Sequence, residues 1–380
     1  MRILYGIVGE GMGHATRSRV VLEHLLGAGH DVHVVVSGKA HQFLVDRFAH
    51  RPRIRFDEIH GLQLRFEDNA LDKSETLLAN LEALPGGLLK NIQVYRKVAE
   101  EGFDPELVIS DFESWAFLYG LNHRLPVISI DNMQILARCD HAEDVLEGEK
   151  TAFRLAKWIV KAKMPGAYHY LVSSFFFPPV RKKRTTLVPP ILRPEILAAR
   201  REPGEHVLVY QSVATSTEAI LPLLQKLPQR FVVYGAGREG SAGNVTFKGF
   251  SETGFVDDLR TARAVIAGGG FSLMGEAVHL RVPMLSVPLC GQFEQTLNAR
   301  YLARLGYGAW SETIDLETLV FFLDDLDRHD EALASYPSPG NDVLFGCVDE
   351  LVRDVALDEP PPDRLEAPAM GKWDGPPLPP

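Results

Sequence analysis

The stretch that decides the fold is residues 264–302, AVIAGGGFSLMGEAVHLRVPMLSVPLCGQFEQTLNARYL. An apolar strand is predicted over residues 264–267, three glycines follow it, and a segment with helical spacing begins after them. Glycines let a ligand approach the backbone, and the unpaired N–H groups and dipole of a first helical turn favour an anion such as a diphosphate. The stretch therefore predicts an anion-binding strand–turn–helix unit.

Polar residues of the same stretch predict a ligand edge. Ser272 and Glu276 lie four residues apart on one helix face, where the Glu276 carboxylate can accept hydrogen bonds from two sugar hydroxyls. A second strand is predicted over residues 283–288, and the polar loop 291–295 opens another helix. Because open α/β sheets bind ligands at the carboxyl ends of their strands, both turns are expected to face one site.

The bulk composition predicts a globular protein of two domains. The chain has 380 residues, 46% hydrophobic and 24% charged, which is too long for one ordinary core. It contains no run of about 18 apolar residues, and Met1 leads directly into a strand. A cytoplasmic location is therefore expected. Cys139, Cys290 and Cys347 lack metal-ligand spacing and are expected to be reduced thiols.

The net charge of −10 is unevenly distributed. Residues 151–201 contain eleven Lys and Arg and one acid, Glu195. An acidic protein is a poor binder of nucleic acid, so no nucleic acid partner is expected. The local basic segment is compatible with an anionic membrane surface or an anionic acceptor.

The N-terminus has the same strand–turn–helix pattern. A strand over residues 2–8 is followed by residues 9–14, GEGMGH, then by a helix to about Ala28 and a strand over residues 31–36. A dinucleotide fingerprint needs glycine where His14 stands, and it needs an acid after the second strand, where the sequence has Ser37. This pattern disfavours NAD binding.

Alternating strands and helices predict parallel sheets. Strands are predicted over residues 106–110, 126–130 and 168–172. Asp111 and Asp131 follow two of them at the ligand edge, although an Asp at such a place is also typical of a helix N-cap.

A proline-rich segment gives the expected domain boundary. Residues 187–205 separate an N-terminal domain, residues 1–186, from a C-terminal domain, residues 206–335. A helix over residues 341–357 is predicted to pack back on the N-terminal domain, and the acidic, proline-rich tail 358–380 is predicted to be disordered.

Together these features resemble the GT-B glycosyltransferases. The block G-G-x-S-x-x-x-E…P…P…Q-x-x-N-A is similar to the branch that holds the UDP-glycosyltransferases and the MurG-like enzymes, and residues 9–14 most resemble an uncharacterised bacterial and archaeal MurG-like subgroup. The resemblance extends over about residues 1–355. It implies two Rossmann-like parallel α/β domains that face each other across a cleft. It also implies an enzyme that transfers a sugar from a nucleotide diphosphate sugar, with UDP as the expected nucleotide, to an acceptor hydroxyl.

The resemblance implies a role for individual residues. His14 matches the general base, and its ordinary pKa near 6.5 suits that work. Asp111 matches the acid that orients this histidine and raises its basicity. Glu276 matches the ribose carboxylate, and Glu294 and Gln295 match the pair that contacts the donor sugar. The implied donor-binding residues are Ser212, Gly249, Phe250, Phe255, Gly268, Gly269, Gly270, Phe271, Ser272, Glu276, Glu294 and Gln295, and the implied phosphate and acceptor loop is Gly11, Met12, Gly13 and Arg17.

One departure from the family pattern concerns the diphosphate. Many UDP-glycosyltransferases have a histidine eight residues before the ribose glutamate, where this chain has Gly268. The helix N-terminus then carries more of the leaving group's charge, with Arg17 or another cation from the facing domain. The glycine at this position favours a MurG-like enzyme over a UDP-glycosyltransferase.

A single base and a helix-bound diphosphate predict a single displacement with inversion. The D-x-D triplet at residues 325–327 lies in an acidic helical run, so neither an obligatory metal nor a cofactor is expected. Two alternatives remain open: an enzyme of the same fold that resembles UDP-GlcNAc 2-epimerases, and a non-catalytic nucleotide-sugar or lipid-binding protein.

The acceptor side has two interpretations. Residues 153–164 have a basic face, with Lys157 and Lys161, and an apolar face, with Val160 and Met164; three phenylalanines, residues 175–177, precede a basic run, and residues 77–89 are rich in leucine. Core packing with a solvated basic surface explains these patterns. Alternatively, they mark peripheral association with an anionic membrane, at the inner face of the cell membrane, and an acceptor that is a small molecule, a lipid-linked molecule or a cell-envelope precursor.

Overall fold

A computed structural model describes residues 1–9, 11–61, 66–67, 70–71, 73–100, 102–211 and 215–365. Within these residues the chain forms two seven-stranded sheets and a two-stranded one. The first seven-stranded sheet and its helices are called the N-terminal unit, and the second the C-terminal unit.

The N-terminal unit alternates strands and helices along the chain. Its elements are β1 (Arg2–Ile7), α1 (Met12–Gly27), β2 (Asp31–Ser37), α2 (Gly38–Phe48), β3 (Ile54–Ile59), β4 (Phe66–Glu67), β5 (Ala70–Leu71), α3 (Lys73–Glu100), β6 (Leu107–Asp111), α4 (Ser114–Asn122), β7 (Val127–Asp131), α5 (Ile135–Arg138), a 3₁₀ helix (Asp144–Leu146), α6 (Lys150–Lys163), β8 (His169–Ser173) and β9 (Thr185–Val188).

The C-terminal unit repeats this alternation. Its elements, after the connecting helix α7 (Pro194–Ala198), are β10 (His206–Tyr210), α8 (Thr215–Leu224), β11 (Arg230–Tyr234), β12 (Gly240–Ala242), β13 (Val245–Lys248), α9 (Glu252–Thr261), β14 (Ala264–Ala267), α10 (Phe271–His279), β15 (Met284–Ser286), α11 (Phe293–Arg304), β16 (Gly308–Trp310), α12 (Leu316–Asp324) and α13 (Leu326–Ala334); α14 (Asp342–Ala356) follows them.

Both large sheets are doubly wound. The first has the order β3-β2-β1-β6-β7-β8-β9 with parallel neighbours throughout. The second has the order β12-β13-β11-β10-β14-β15-β16, and only the pair β12–β13 is antiparallel among its described strands. The central strands are apolar along their length because helices cover both faces. This arrangement brings the carboxyl ends of β1, β6 and β7 to one edge and those of β10, β14 and β15 to another.

The last helix completes the N-terminal unit. Helix α14 buries Cys347, Val348 and Leu351 in the same core cluster as the side chains of β1 and α1. At its surface the rings of His24 and Phe345 stack with centroids 4.1 Å apart. The chain thus returns to the first sheet after the second has been completed.

The chain crosses between the units twice, and the two crossings are joined. Asn341, just before α14, accepts a hydrogen bond from Leu192 N at 2.9 Å and donates one to Leu192 O at 2.7 Å. Leu192 lies in the proline-rich segment predicted as the boundary. Both crossings therefore meet at one place.

The predicted disorder of the tail is wrong for its first residues. Residues 358–365, predicted to be disordered, lie along β9: Leu365 is buried and its N–H donates to Thr186 Oγ1 at 3.0 Å, while Thr185 N donates to Asp363 O at 3.2 Å. An edge strand leaves backbone groups that need partners, and the tail supplies them. Residues 366–380 lie outside the described residues. Of the two interpretations of the phenylalanines, core packing holds for Phe175 and Phe176, which are fully buried, with the Phe176 ring stacked 3.9 Å from that of Tyr301.

The glycine turn after β14 has one position that excludes a side chain. A Cβ at Gly269 would lie 2.5 Å from the Cβ and 2.6 Å from the backbone oxygen of Gln295, whereas a Cβ at Gly268 would meet nothing nearer than 3.6 Å. Gly269 is thus required because helix α11 approaches the turn closely.

We expect Gly269→Ala to lower the free energy of unfolding by about 1–3 kcal/mol, as overpacking does. Gly268→Ala is the matched control and should change it by less than about 0.5 kcal/mol. Urea denaturation of the two variants measures both values. Equal losses in the two variants would contradict the packing argument.

Candidate functional site

The carboxyl edges of the two sheets line one cavity of about 2230 Å³. Ligand pockets usually hold about 300–1,000 Å³, so this cavity has room for two substrates. Most sequence-predicted site residues that the structure describes line it: Gly11, Met12, Gly13, His14, Arg17, Gly249, Phe250, Phe255, Gly268, Gly270, Phe271, Ser272, Glu276, Glu294 and Gln295. Asp111 and Gly269 lie behind the lining, and Ser212 lies outside the described residues.

Two helix N-termini face each other across this cavity. Helix α1 follows Gly11 and helix α10 follows Gly270, and neither first turn contains an acid; no described side chain caps either end. The two ends are close, because a Cβ at Gly13 would lie 2.7 Å from Ser272 Oγ. Unpaired N–H groups and the positive ends of two dipoles thus converge on one place, which favours an anion there.

Beside these helix ends, His14 contacts a buried carboxylate. Its Nδ1 lies 2.9 Å from Asp111 Oδ1, and the ring is partly exposed to the cavity. Asp111 also accepts hydrogen bonds from Arg17 Nε at 2.8 Å, from Arg17 Nη2 and from Ser18 Oγ at 2.9 Å. Burial alone would raise the pKa of the Asp111 carboxyl, but Arg17 and His14 hold that pKa well below its usual range. Asp111 is thus ionised.

The N-cap interpretation of Asp111 is wrong. The cap of α4 is Glu113, whose carboxylate accepts from Trp115 N and Ala116 N, both at 2.7 Å. Asp131 does bind a following backbone N–H, that of Gln134 at 2.8 Å, and burial raises its pKa to about 6. Asp111 therefore binds the side chains of the site, whereas Asp131 binds a backbone N–H, although each directly follows a strand.

The pKa of His14 is lowered rather than raised. Burial is the main cause, the positive charge of Arg17 adds to it, and together they outweigh the attraction of Asp111. Asp111 acts to raise the pKa of His14, as expected, but burial and then the charge of Arg17 outweigh it, so the net shift is downward. The imidazole is neutral at neutral pH, which is the form that can accept a proton.

Arg17 is a partner of this pair, and its guanidinium contacts both His14 and Asp111. It is almost fully buried, and its Nη1 donates to Asn132 Oδ1 at 2.6 Å. Asp111 and Asn132 therefore engage its guanidinium, and support of the leaving group by Arg17 or another cation stays a prediction. Three further cations of the cavity wall have partners: Arg193 and Lys248 pair with carboxylates, and Arg238 lies over the Phe247 ring.

Glu276 is held by an arginine that the sequence analysis missed. Arg193 donates from Nε and Nη2 to the two carboxylate oxygens at 2.7 and 2.9 Å. Burial raises the pKa of Glu276, and Arg193 opposes that rise. Arg193 belongs to the segment predicted only as a boundary, and a lone arginine before Pro194 gives no local signal of this pairing.

Glu294 joins the two units. Its Oε1 accepts from Asn298 Nδ2 at 2.5 Å and from Asn132 Nδ2 at 2.6 Å, and Asn132 belongs to the N-terminal unit. Burial raises the pKa of Glu294 to about 7. The sequence analysis missed Asn132, although its place directly after Asp131 at the same sheet edge could have indicated it.

Gln295 has a structural use. Its Oε1 accepts hydrogen bonds from Gly269 N at 3.1 Å and Leu289 N at 3.0 Å, and its Nε2 donates to Gln292 Oε1 at 2.6 Å. Asn298 Nδ2 in turn donates to Gly269 O at 3.2 Å. These two motif residues therefore fix the glycine turn to helix α11.

Aromatic rings line the part of the cavity next to residues 249–255. Phe250 is 83% exposed at the cavity wall. Phe255 is partly buried and contacts the rings of Tyr210 and Tyr234 edge-on, with centroids 5.7 and 5.1 Å apart. A planar ligand group can stack on the free Phe250 ring.

The opposite end of the cavity has several exposed apolar side chains. Helices α3, α4 and α6 contribute Leu88, Ile92, Leu118 and Ile159, all with substantial exposure, and Trp115 and Leu136 lie deeper. Such a wall suits an apolar or amphiphilic ligand.

The acidic triplet at residues 325–327 lies apart from this site. Asp327 is exposed and pairs with Arg263 at 2.8 Å, and neither residue lines the cavity. Among the described residues, no group of three or more His, Cys, Asp or Glu is arranged to hold a metal ion.

Comparison with known proteins gives consistent matches. A family model described as "Glycosyl transferase family 1" matches residues 1–327. A protein of Methanosarcina acetivorans described as an uncharacterized glycosyltransferase is 24% identical over 402 residues, which cover 99% of this chain and 96% of that protein.

Solved structures also match. A UDP-glucosyltransferase from Polygonum tinctorium, described as capable of glucosylating indoxyl, has a TM-score of 0.65 at 16% identity, covering 93% of this chain and 98% of that one. LpCGTa in complex with UDP has a TM-score of 0.63 at 15% identity, covering 93% of this chain and 99% of that one. At such identities the likeness shows the fold alone, and it confirms the predicted pair of parallel α/β units.

We expect His14 to titrate below its ordinary value of about 6.5. Arg17→Met should raise its pKa, because the variant removes a positive charge beside the imidazole and leaves Asp111. NMR titration of the His14 ring, assigned with His14→Gln, measures the shift. Ser18→Ala, which removes a neutral donor to Asp111, is the control and should move the pKa less. A wild-type value above 6.5, or an unchanged value in Arg17→Met, would contradict this assignment.

Proposed function

The chain belongs to glycosyl transferase family 1 and is a glycosyltransferase of GT-B type, and we propose that it transfers a sugar from a UDP-sugar to an acceptor hydroxyl with inversion. The observation that carries this proposal is the position of His14, beside two facing helix N-termini in one cavity. We further assign the chain to the MurG-like side of the family, because Gly268 stands where many UDP-glycosyltransferases have a histidine.

The donor lies on the C-terminal unit. Backbone N–H groups at the start of α10, with those of α1 opposite, bind the diphosphate. A carboxylate has about four acceptor positions, and Arg193 uses one on each oxygen of Glu276, so one per oxygen remains for the ribose hydroxyls. Residues 249–255 with the free Phe250 ring contact the base. UDP is the preferred nucleotide because two structural neighbours are described with it.

His14 acts as the general base. His14 Nδ1 lies 2.9 Å from Asp111 Oδ1 and 2.7 Å from Arg17 Nη2. We assign the ring proton to Nδ1, which then donates to Asp111 and leaves the lone pair of Nε2 for the acceptor. Nε2 takes the proton of the acceptor hydroxyl while the hydroxyl oxygen forms a bond to the anomeric carbon. The bond from that carbon to the diphosphate oxygen breaks on the opposite face, and the facing helix ends stabilise the charge of the leaving group. One base and one displacement invert the configuration.

This chemistry needs neither a metal nor a cofactor. The helix N-termini supply the positive potential that a divalent cation supplies to diphosphates elsewhere. We therefore propose activity without an added metal.

The acceptor is apolar or amphiphilic. The wall formed by α3, α4 and α6 offers exposed leucine and isoleucine side chains beside polar ones such as Asn91, Arg96 and Asn122. A lipid-linked acceptor or cell-envelope precursor fits this wall, with its hydroxyl beside His14 and its apolar part between the helices.

Helix α6 is a candidate membrane contact. The face predicted to be apolar points inward, since Val160 and Met164 are buried. Leu155, Trp158 and Ile159 are exposed instead, on a helix that carries five Lys and Arg and no acid. An exposed tryptophan among cationic side chains suits the surface of an anionic bilayer. No helix among the described residues is long and apolar enough to span a membrane.

The activity is tested first on the wild type. UDP at about 100 times its Kd should add about 2.7 kcal/mol to the stability, in a thermal-shift panel with TDP, GDP and NAD. UDP release from UDP-sugars should require an acceptor alcohol and should persist in EDTA. A shift with NAD alone, UDP release without acceptor, or loss of activity in EDTA that Mg²⁺ restores would each contradict the corresponding part of the proposal.

His14→Ala should lower turnover by roughly 10²–10⁴ while UDP binding persists, because only the proton transfer is lost. His50→Ala, an exposed histidine beyond α2, is the control and should retain wild-type turnover. Near-normal turnover in His14→Ala would remove this residue from the mechanism.

For the membrane contact, we expect the wild type to sediment with phosphatidylglycerol vesicles at low salt and less with phosphatidylcholine vesicles. Trp158→Ser should weaken this binding, whereas Phe321→Ser should not; both side chains are 67% exposed, but Phe321 lies on α12 of the C-terminal unit. Negligible binding to both vesicles, or equal effects of the two variants, would exclude α6 as the contact.

A further inference from the structure

Asn132 connects the two halves of the cavity through one side chain. It lies directly after β7 in the N-terminal unit and is almost fully buried. Its Oδ1 accepts from Arg17 Nη1 at 2.6 Å, and its Nδ2 donates to Glu294 Oε1, in the C-terminal unit, at 2.6 Å. One amide therefore spans the cleft.

The orientation of this amide is fixed by its partners. A guanidinium only donates hydrogen bonds, so the Asn132 oxygen must face Arg17. The amide nitrogen then faces Glu294, whose carboxylate accepts. The two contacts require each other, because a reversed amide would place donor against donor at Arg17.

The chain of contacts continues to the base. Arg17 donates to both oxygens of Asp111, and Asp111 lies 2.9 Å from His14 Nδ1. Three side chains thus link Glu294 to His14: Asn132, Arg17 and Asp111.

At the other end, Glu294 keeps one oxygen free. Asn132 and Asn298 both bind Oε1, while Oε2 has no hydrogen-bond partner among the described residues, and Glu294 lines the cavity. A sugar hydroxyl can therefore donate to Oε2, whereas the nucleotide without its sugar does not extend to that group.

We propose that Asn132 is a positioning residue that holds Glu294 for the donor sugar and ties it to the His14–Asp111–Arg17 group across the cleft. This inference rests on the proposed function. Recognition of the sugar and placement of the base are then coupled through one amide.

The test compares UDP with a UDP-sugar that the wild type uses. Asn132→Ala should lower kcat/KM for the UDP-sugar by about tenfold or more, in the range of coupled contacts. Its Kd for UDP should change less than about twofold, because UDP lacks the group that Glu294 contacts. If Asn132 had only a structural role, the variant would bind UDP and the UDP-sugar equally less tightly.

A double-variant cycle tests the route through Glu294. In a Glu294→Gln background, Asn132→Ala should add no more than about a twofold further loss, because both changes break the same contact. Full multiplication of the two single losses, or equal weakening of UDP, would overturn the proposal.

Arg47→Ala provides the matched control for contact between the units. Arg47 of α2 pairs with Glu195 at 3.0 Å and approaches Glu252 of α9 to 3.9 Å, and it does not line the cavity. This variant should leave the ratio of UDP-sugar to UDP affinity unchanged. If Arg47→Ala altered the ratio of UDP-sugar to UDP affinity in the same way, Asn132 would act only by holding the two units together. A wild type that turns over no nucleotide sugar would instead refute the proposed function, and this inference with it.

Discussion

The buried ion pair between Arg17 and Asp111 is the interaction on which the site depends. A buried charge is tolerated only when its partners satisfy it fully, and here Ser18, His14 and Asn132 complete the shell. The pair fastens the start of α1 to the end of β6. It also contributes to the electrostatics of the base: burial lowers the pKa of His14 most, Arg17 lowers it further, and Asp111 opposes both. The position of the first helix and the charges beside His14 thus both depend on this pair.

The sequence predicts the centre of each sheet better than its edges. Central strands such as β1, β6 and β14 are buried on both faces and read as apolar runs. The four edge strands β3, β9, β12 and β16 are not predicted. They are short or have one exposed face, so polar residues and glycine interrupt their pattern.

The site residues also differ in how well the sequence predicts them. Residues on one strand–turn–helix unit are predictable because their spacing fixes their shared face. Asn132 and Arg193 are not, because their partners lie 162 and 83 residues away. Two residues of the motif stabilise the fold: Gln295 and Asn298 hold the turn that Gly269 makes possible. A family signature therefore marks a fold element as much as a list of ligand contacts.

The paired crossings at Leu192 and Asn341 have a consequence for how the molecule assembles and moves. The N-terminal unit is discontinuous in sequence, and its core stays uncovered on one side until α14 has been synthesised. The C-terminal unit is thus an insertion that can fold while its host is still incomplete. Once both units are formed, two adjacent chain segments connect them, and Asn341 joins these segments by hydrogen bonds. The paired segments restrain twisting between the units, so bending about a single axis is the easiest way for the cleft to open.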